Sequence, residues 1–393
     1  MPARPGLRSA VAAGTFALLL AMMAPCAARA ADGTISIGVP VGLSGANSVT
    51  SPSLVQAARL AVAQINEKGG ILGKKLVLDF ADDQTSTSGA AKAFTSLVYG
   101  KHVDVLITAE TSAARNAGMP IVNRSHTPYI YTSFYEGGAC SPWLFIDAWV
   151  PVQAVSPTVD YFMKAKGAKT FFLVGNDYVY GRLLLGYTKK AIEAHGGKVV
   201  GEEYLPIADS NWAPIISRIK SSHAEALISA TAGGEPNVTL AKQLQGAGIK
   251  ILFANMSLDE NTAKEIGPAA AGTYIIQSYL TSIDNPQNEA FQADLRKMFG
   301  KDAKVPNELS EPEYDGIYLY KAAVEKAHST EPEKVVKELP LVTFDGPRGP
   351  VGMSDEHHAP LTMYLAQVQP DLSVKIVRKY PNVSPGNQCP NLK

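Results

Sequence analysis

The sequence predicts an α/β protein built on parallel sheets, in two units of similar size. Apolar runs of strand length alternate with amphipathic helical stretches from Thr34 to Gln277, the rhythm of βαβ units. That rhythm restarts after Trp149. The ~360 residues that remain behind a leader also exceed what one hydrophobic core usually holds.

In chain order, Arg4 and Arg8 precede the apolar run Ala10 to Met23 and then Ala28-Arg29-Ala30. A basic start, an apolar middle and a small-x-small end read as a secretory signal cut after Ala30. Thr34 to Val41 is a strand; Gly42-Leu43-Ser44-Gly45 turns it into a helix with Leu54, Ala58, Ala61 and Ile65 on one face. That helix closes on Lys68-Gly69-Gly70, a basic residue and a glycine cap. Lys75 to Ala81 is a strand ending in Asp82-Asp83, and Ser88 to Tyr99 a helix. Val103 to Thr108, a helix from Ser112, and Pro128 to Thr132 complete the first unit.

The second unit opens with a helix over Val152 to Lys164 and a strand over Thr170 to Val174. Asn176 to Arg182 reads as a loop and Leu183 to His195 as a helix. Strands at Lys198–Tyr204, Ala226–Ala230, Ile251–Ala254 and Thr273–Gln277 follow, with helices at Trp212–Ser221 and Asn237–Gln245. Helices near Asn288–Phe299 and Glu311–His328 come next, then antiparallel strands at Leu361–Val368 and Val374–Arg378. Two successive domains or two interleaved lobes both fit this order. The lack of a Pro-, Gly- or Ser-rich linker favours interleaving.

Removing residues 1–30 takes away three arginines and no acids, leaving 33 basic against 36 acidic residues. That balance argues against nucleic acid, which wants a basic face. No later apolar stretch approaches the ~18 residues that span a bilayer. Cys140 and Cys389 remain after cleavage, and in an oxidising compartment two cysteines tend to pair. A bridge tying the tail to the body is expected, against the alternative of two buried thiols.

Catalytic templates are missing. Gly69 to Lys75 is one residue short of a phosphate-binding loop and lacks its Ser or Thr. Gly42-Leu43-Ser44-Gly45 is no nucleophile elbow, and neither H-E-x-x-H nor C-x-x-C occurs. Asp355-Glu356-His357-His358 has metal-ligand chemistry, but before Pro360 it reads better as a solvated loop. No cofactor is expected.

What stands out is polar and aromatic residues at strand ends: Glu110, Thr111 and Ser112; Tyr131, Ser133 and Tyr135; Tyr178 and Tyr180. In parallel sheets the carboxyl ends of strands form the ligand crevice, and a helix starting there aims unpaired N–H groups at incoming oxygens. Ser112 reads as the floor of such a site or as a plain N-cap. Tyr178 and Tyr180, with an apolar face and one hydroxyl each, suit gripping a small polar molecule; the alternative is that exposed tyrosines cover hinge backbone.

Gly38 to Gly45, Ile65 to Gly70, Leu72-Gly73, Asp82-Asp83, Ser112, Asn176 to Gly181 and Phe344 to Pro350, taken as an ordered series, resemble a type I periplasmic solute-binding protein of an ABC importer. The resemblance implies two interleaved Rossmann-like lobes. It places 31–150 plus 280–342 in the first lobe, 151–279 plus 343–380 in the second, and 381–393 in a tail. Crossings are expected near Trp149–Val152, Gln277–Thr281 and Val342–Gly346. A ligand trapped between the lobes, a permease partner in the inner membrane, a monomeric state and no catalysis are implied with them.

Within the family, Tyr135-Glu136-Gly137, Cys140-Ser141-Pro142, Asp177 to Tyr180 and Asp209 to Trp212 look most like the branch that binds short amides and urea. That match carries Ser112, Tyr178, Tyr180, Tyr131 and Ser133 over as ligand contacts. Glu110 replaces an aromatic residue of that branch, and Gly181 a proline. The branched-chain amino-acid branch offers an aromatic and an acid in the second lobe, yet near Ala232 only Glu235 is acidic. A buried Glu110 needs a partner: a ligand N–H or positive charge, or Arg115. The functional expectation is a binding protein for a short amide, urea or an amino acid. The alternatives are a ligand sensor facing a membrane receptor and an exported α/β enzyme.

Overall fold

The computed structural model describes residues 1–2 and 33–392; the rest of the leader read at 1–30 lies outside the described residues. The first sheet holds β1 (Thr34–Val41), β2 (Lys75–Asp82), β3 (Val105–Thr108), β4 (Tyr129–Tyr131) and β5 (Leu144–Ile146), ordered β2-β1-β3-β4-β5. All its pairs are parallel, and near-continuous apolar runs such as Val105–Thr108 are buried, as a sheet covered on both faces requires.

Its connecting helices are α1 (Ser51–Glu67), α2 (Thr87–Thr95) and α3 (Ser112–Ser125). Leu54, Ala58, Ala61 and Ile65 form the buried stripe of α1, and Ser86 caps α2 by accepting from the Gly89 N–H. Gly70 follows α1 with φ +83°, where a Cβ would sit 1.9 Å from the Lys74 carbonyl, so only glycine fits.

The second lobe runs α4 (Pro151–Asp160), β6 (Thr170–Asn176), α5 (Val179–Ala194), β7 (Lys198–Leu205), α6 (Ala213–Ser222), β8 (Ala226–Ala230), α7 (Gly234–Gly246), β9 (Leu252–Asn255), α8 (Glu260–Ile266) and β10 (Tyr274–Gln277). Helices α9 (Pro286–Phe299) and α10 (Glu311–Ala327) then return to pack on α1 of the first lobe, with α11 (Pro332–Glu338) against α10. A hairpin, β11 (Thr343–Gly346) and β12 (Gly349–Gly352), sits on α9 and α10. Finally β13 (Leu361–Val368) and β14 (Val374–Val383) join the second sheet antiparallel, giving the order β14-β13-β10-β9-β8-β6-β7. The lobes are interleaved.

Several expectations need correcting. The helix after β6 begins at Val179, not Leu183, so Tyr180 stands in a helical first turn. The last passage to the second lobe was placed at Val342–Gly346; those residues are β11 on α10, and the chain reaches the second sheet only at Leu361. Strand β5, α8, α11 and the hairpin were not anticipated; all are three to seven residues long.

Asp355–His358 is not a solvated loop. His357 stacks on Phe145 at 4.0 Å and His358 is buried against Tyr135. Burial pushes the His358 imidazole down to about 4. Among the described residues no cluster has metal-ligand geometry, and no helix is long and apolar enough to cross a membrane. Cys140 and Cys389 are joined by a disulfide with Cα atoms 5.7 Å apart.

Candidate ligand-binding site

The two sheets share one strand order. β2-β1-β3-β4 in the first is repeated as β7-β6-β8-β9 in the second, so each has its switch point between its first and third strands, where open α/β sheets bind ligands. The loops leaving those strands meet. Asn47 follows β1 and Ala109 to Ser112 follow β3; Tyr178 follows β6, Thr231 to Gly233 follow β8 and Ser257 follows β9. Together with Ser133, Phe134, Tyr180 and Leu309 they enclose a cavity of about 30 Å³. A second space of about 540 Å³, reached past Thr111, opens between Gly45–Ser48 and Gln84–Thr87 on one side and Ile207–Ser210 and Glu235 on the other.

Of the residues expected at the site, Glu110, Thr111, Ser112, Ser133, Tyr178 and Tyr180 line the cavity. Tyr131 does not. It is buried beneath, with its hydroxyl donating to the Glu110 carbonyl at 2.5 Å, and so fixes the turn that carries Glu110. Thr111, rather than Ser112, caps α3 by accepting from the Ala114 N–H at 3.2 Å. The N–H groups of Ser112 and Ala113 are left without a helical acceptor at the positive end of the helix.

Ser112 donates its hydroxyl to Glu136, which also pairs with Arg115 at 2.6 Å. Arg115 lies over the rings of Tyr135 at 4.5 Å and Tyr131 at 5.1 Å. It therefore does not pair with Glu110. Both Glu110 carboxyl oxygens and one oxygen of Asp83 are buried and no side-chain donor reaches them; the backbone N–H groups of Thr111 and Gly42 face Glu110. Burial first, and the neighbouring Asp83 second, push the Glu110 carboxyl well above the usual carboxylate range.

Sequence reasoning missed Phe134, Thr231, Ser257 and Asn47. Phe134 stacks on Trp149 at 4.6 Å and lies 5.7 Å from Tyr180, so one aromatic wall spans both lobes. The Tyr180 hydroxyl accepts from Ser257 at 3.3 Å, and Tyr178 lies 3.5 Å from the Thr231 carbonyl. Asn176 is buried and holds the 231–233 loop by accepting from the Ala232 N–H at 2.9 Å. A Cβ on Gly181 would lie 2.2 Å from the Asn176 carbonyl, which accounts for glycine where the resembling branch has proline.

Fold and cavity define a two-lobed α/β protein whose lobes meet at matching switch points. The chain belongs to the periplasmic binding protein family, whose profile matches residues 34–373. It is 26% identical over 261 residues to the Leu/Ile/Val-binding protein homolog 6 of Brucella melitensis, covering 63% of this chain and 66% of that protein, just under two thirds. Among solved structures, a solute-binding protein of an ABC transporter from Rhodopseudomonas palustris BisB5 in complex with 3,4-dihydroxybenzoic acid superposes with a TM-score of 0.82 at 22% identity, covering 91% of this chain and 99% of that one. The leucine-binding protein LivK of Thermotoga maritima gives 0.77 at 19% identity, covering 88% and 99%. At those identities the likeness concerns the fold.

Proposed function

We propose that this chain is the exported substrate-binding component of an ABC importer. It captures a small N–H-bearing solute between its lobes (a short amide, urea or an amino acid) and presents it, unaltered, to an inner-membrane permease. The carrying observation is the pairing of opposite polarities in one cavity: first-turn N–H groups of α3, which have no helical acceptor, and the buried Glu110 carboxyl, which no side-chain donor reaches. The N–H groups suit a carbonyl or carboxylate oxygen. Glu110 suits the N–H end, and so does Ser112, whose hydroxyl proton is committed to Glu136 and whose lone pairs are left for a guest. Phe134, Tyr178 and Tyr180 pack the guest's flanks.

The names of the Brucella relatives support an amino acid; the acid would then come from Glu110 in the first lobe. A benzoate, as in the Rhodopseudomonas complex, fits less well, because no Lys or Arg lines the cavity and Arg115 is taken by Glu136. At about 30 Å³ the space equals one or two waters, so the lobes separate to admit a guest.

A thermal-shift screen over amides, urea, amino acids and benzoates tests the reading. A ligand at a hundred times its Kd adds about 2.7 kcal/mol. Tyr178→Ala is expected to abolish that shift while leaving the unliganded melting point nearly unchanged. Undiminished binding by the variant would remove the cleft as the site.

A further inference from the structure

Ser112 opens α3 and lines the cavity, yet its hydroxyl donates away from that space, to Glu136. Glu136 is not among the residues that line the cavity; it stands behind Ser112, on the turn that follows β4. One of its carboxyl oxygens accepts from Ser112 and the other from Arg115 Nη2 at 2.6 Å. The side chains of this ion pair are only 2% and 4% exposed. A carboxylate facing a guanidinium accepts at both oxygens, so towards Glu136 the serine hydroxyl can only donate.

The arrangement is anchored on both sides. The Tyr135 N–H donates to the Trp149 carbonyl at 3.3 Å, its hydroxyl accepts from the Ala139 N–H at 3.1 Å and meets His358 Nε2 at 2.5 Å, so the turn that carries Glu136 is held. Arg115 is steadied by Asn116, which accepts from Nη2 at 3.0 Å. A hydroxyl has one proton and two lone pairs. With the proton spent on Glu136, Ser112 turns an acceptor towards the cavity, while the N–H groups of Ser112 and Ala113 offer donors beside it. Two polarities therefore adjoin at one residue.

We infer that Glu136 is a positioning residue for specificity: by taking the Ser112 proton it fixes that hydroxyl as an acceptor, and so obliges a guest to present a donor there. A carboxylate turned towards Ser112 sets oxygen against oxygen and is refused. The inference rests on the cleft being the binding site and adds which residue enforces its polarity. One atom should reverse that polarity. In Glu136→Gln the amide oxygen stays on Arg115, because an NH2 there would meet another donor. The NH2 is left facing Ser112, takes up one of its lone pairs and frees the hydroxyl proton for an oxygen of the guest.

Titration calorimetry of the mature protein with matched probes decides it: acetamide and urea against acetate, and L-leucine against 4-methylpentanoate, which lacks the amino group. The expected result is tighter binding of an N–H-bearing probe than of its counterpart, with that preference falling about tenfold in Glu136→Gln. In a Ser112→Ala background the same substitution should leave the preference nearly unchanged, since the hydroxyl it acts through is gone. An equal fall in both backgrounds overturns the inference and assigns the effect to lost charge. Should Glu136→Gln not fold, Ser112→Ala alone decides: a loss confined to the N–H-bearing probe supports the inference, and a loss as large for its counterpart overturns it. Tighter binding of acetate or 4-methylpentanoate by the unaltered protein overturns it too, while leaving a binding protein for an importer standing. Silence from every probe overturns it along with the reading of the cleft.

Discussion

Two buried arginines hold the molecule together in different ways. Arg115, under the cavity floor, faces one acid, Glu136, and lies over two tyrosine rings of the same lobe. Arg348, in the β11–β12 turn, faces Asp315 at 2.9 Å, Asp147 and Glu311 at 3.3 Å, and Ser278 at 3.1 Å. Ser278 in turn donates to Glu308 at 2.7 Å. Asp147 and Ser278 lie on the passages out of β5 and β10, and Glu311 and Asp315 on α10. The Arg115 pair is charge-balanced and local; the Arg348 cluster gathers four stretches of chain around one cation outnumbered by acids. A balanced pair fixes a shape, whereas an acid-rich knot relies on protons as well.

The largest expected effect is Arg348→Met, which strands several carboxyls and should cost about 3–5 kcal/mol, read by denaturant unfolding. Arg115→Met should cost less, about 1–3 kcal/mol, because Glu136 keeps Ser112 as a donor. Equal losses would break the contrast.

The second effect is on pH. Burial raises Asp147 to about 7 and Glu308 and Glu313 to about 8, against about 4 in an unfolded chain. Between those values the folded state holds more protons than the unfolded one, so stability falls as pH rises. The unliganded melting point should therefore drop by several degrees, about 2–4 °C per kcal/mol, from pH 5.5 to 8.5. A flat or rising profile would deny these buried acids their protons.

The smallest effect on stability, about 1 kcal/mol, is expected of Gly234→Ala. Gly234 has φ +44° and a Cβ there would lie 2.3 Å from the Ala46 carbonyl of the opposite lobe. Binding should weaken far more than folding, since the clash exists only when the lobes meet. Calorimetry showing unchanged affinity would mean that closure does not bring Gly234 and Ala46 together.

Much of the architecture was legible because long buried strands and amphipathic helices write their periods into sequence, as in Thr34–Val41 and Leu54–Ile65. The short pieces were not: Leu144–Phe145–Ile146 is too brief to show alternation, and the β11–β12 hairpin takes its place from Arg348's distant partners. At the cavity, Ser112, Tyr178 and Tyr180 were legible as polar residues at strand ends. Phe134 and Ser257 were not, since their roles arise from stacking on Trp149 and contact with Tyr180 across the fold. Local sequence also left Glu110 facing either a ligand or Arg115; the tertiary placement of Glu136 in the Tyr135–Gly137 turn took Arg115 away from it.

The bond between Cys140 and Cys389 encloses every strand of the second sheet within a covalent ring anchored on the first lobe. Such a ring can shut only after residue 389 has been delivered, when both lobes have already been threaded. Oxidation is then a closing seal on maturation, and a molecule trapped with free thiols would mark an unfinished one.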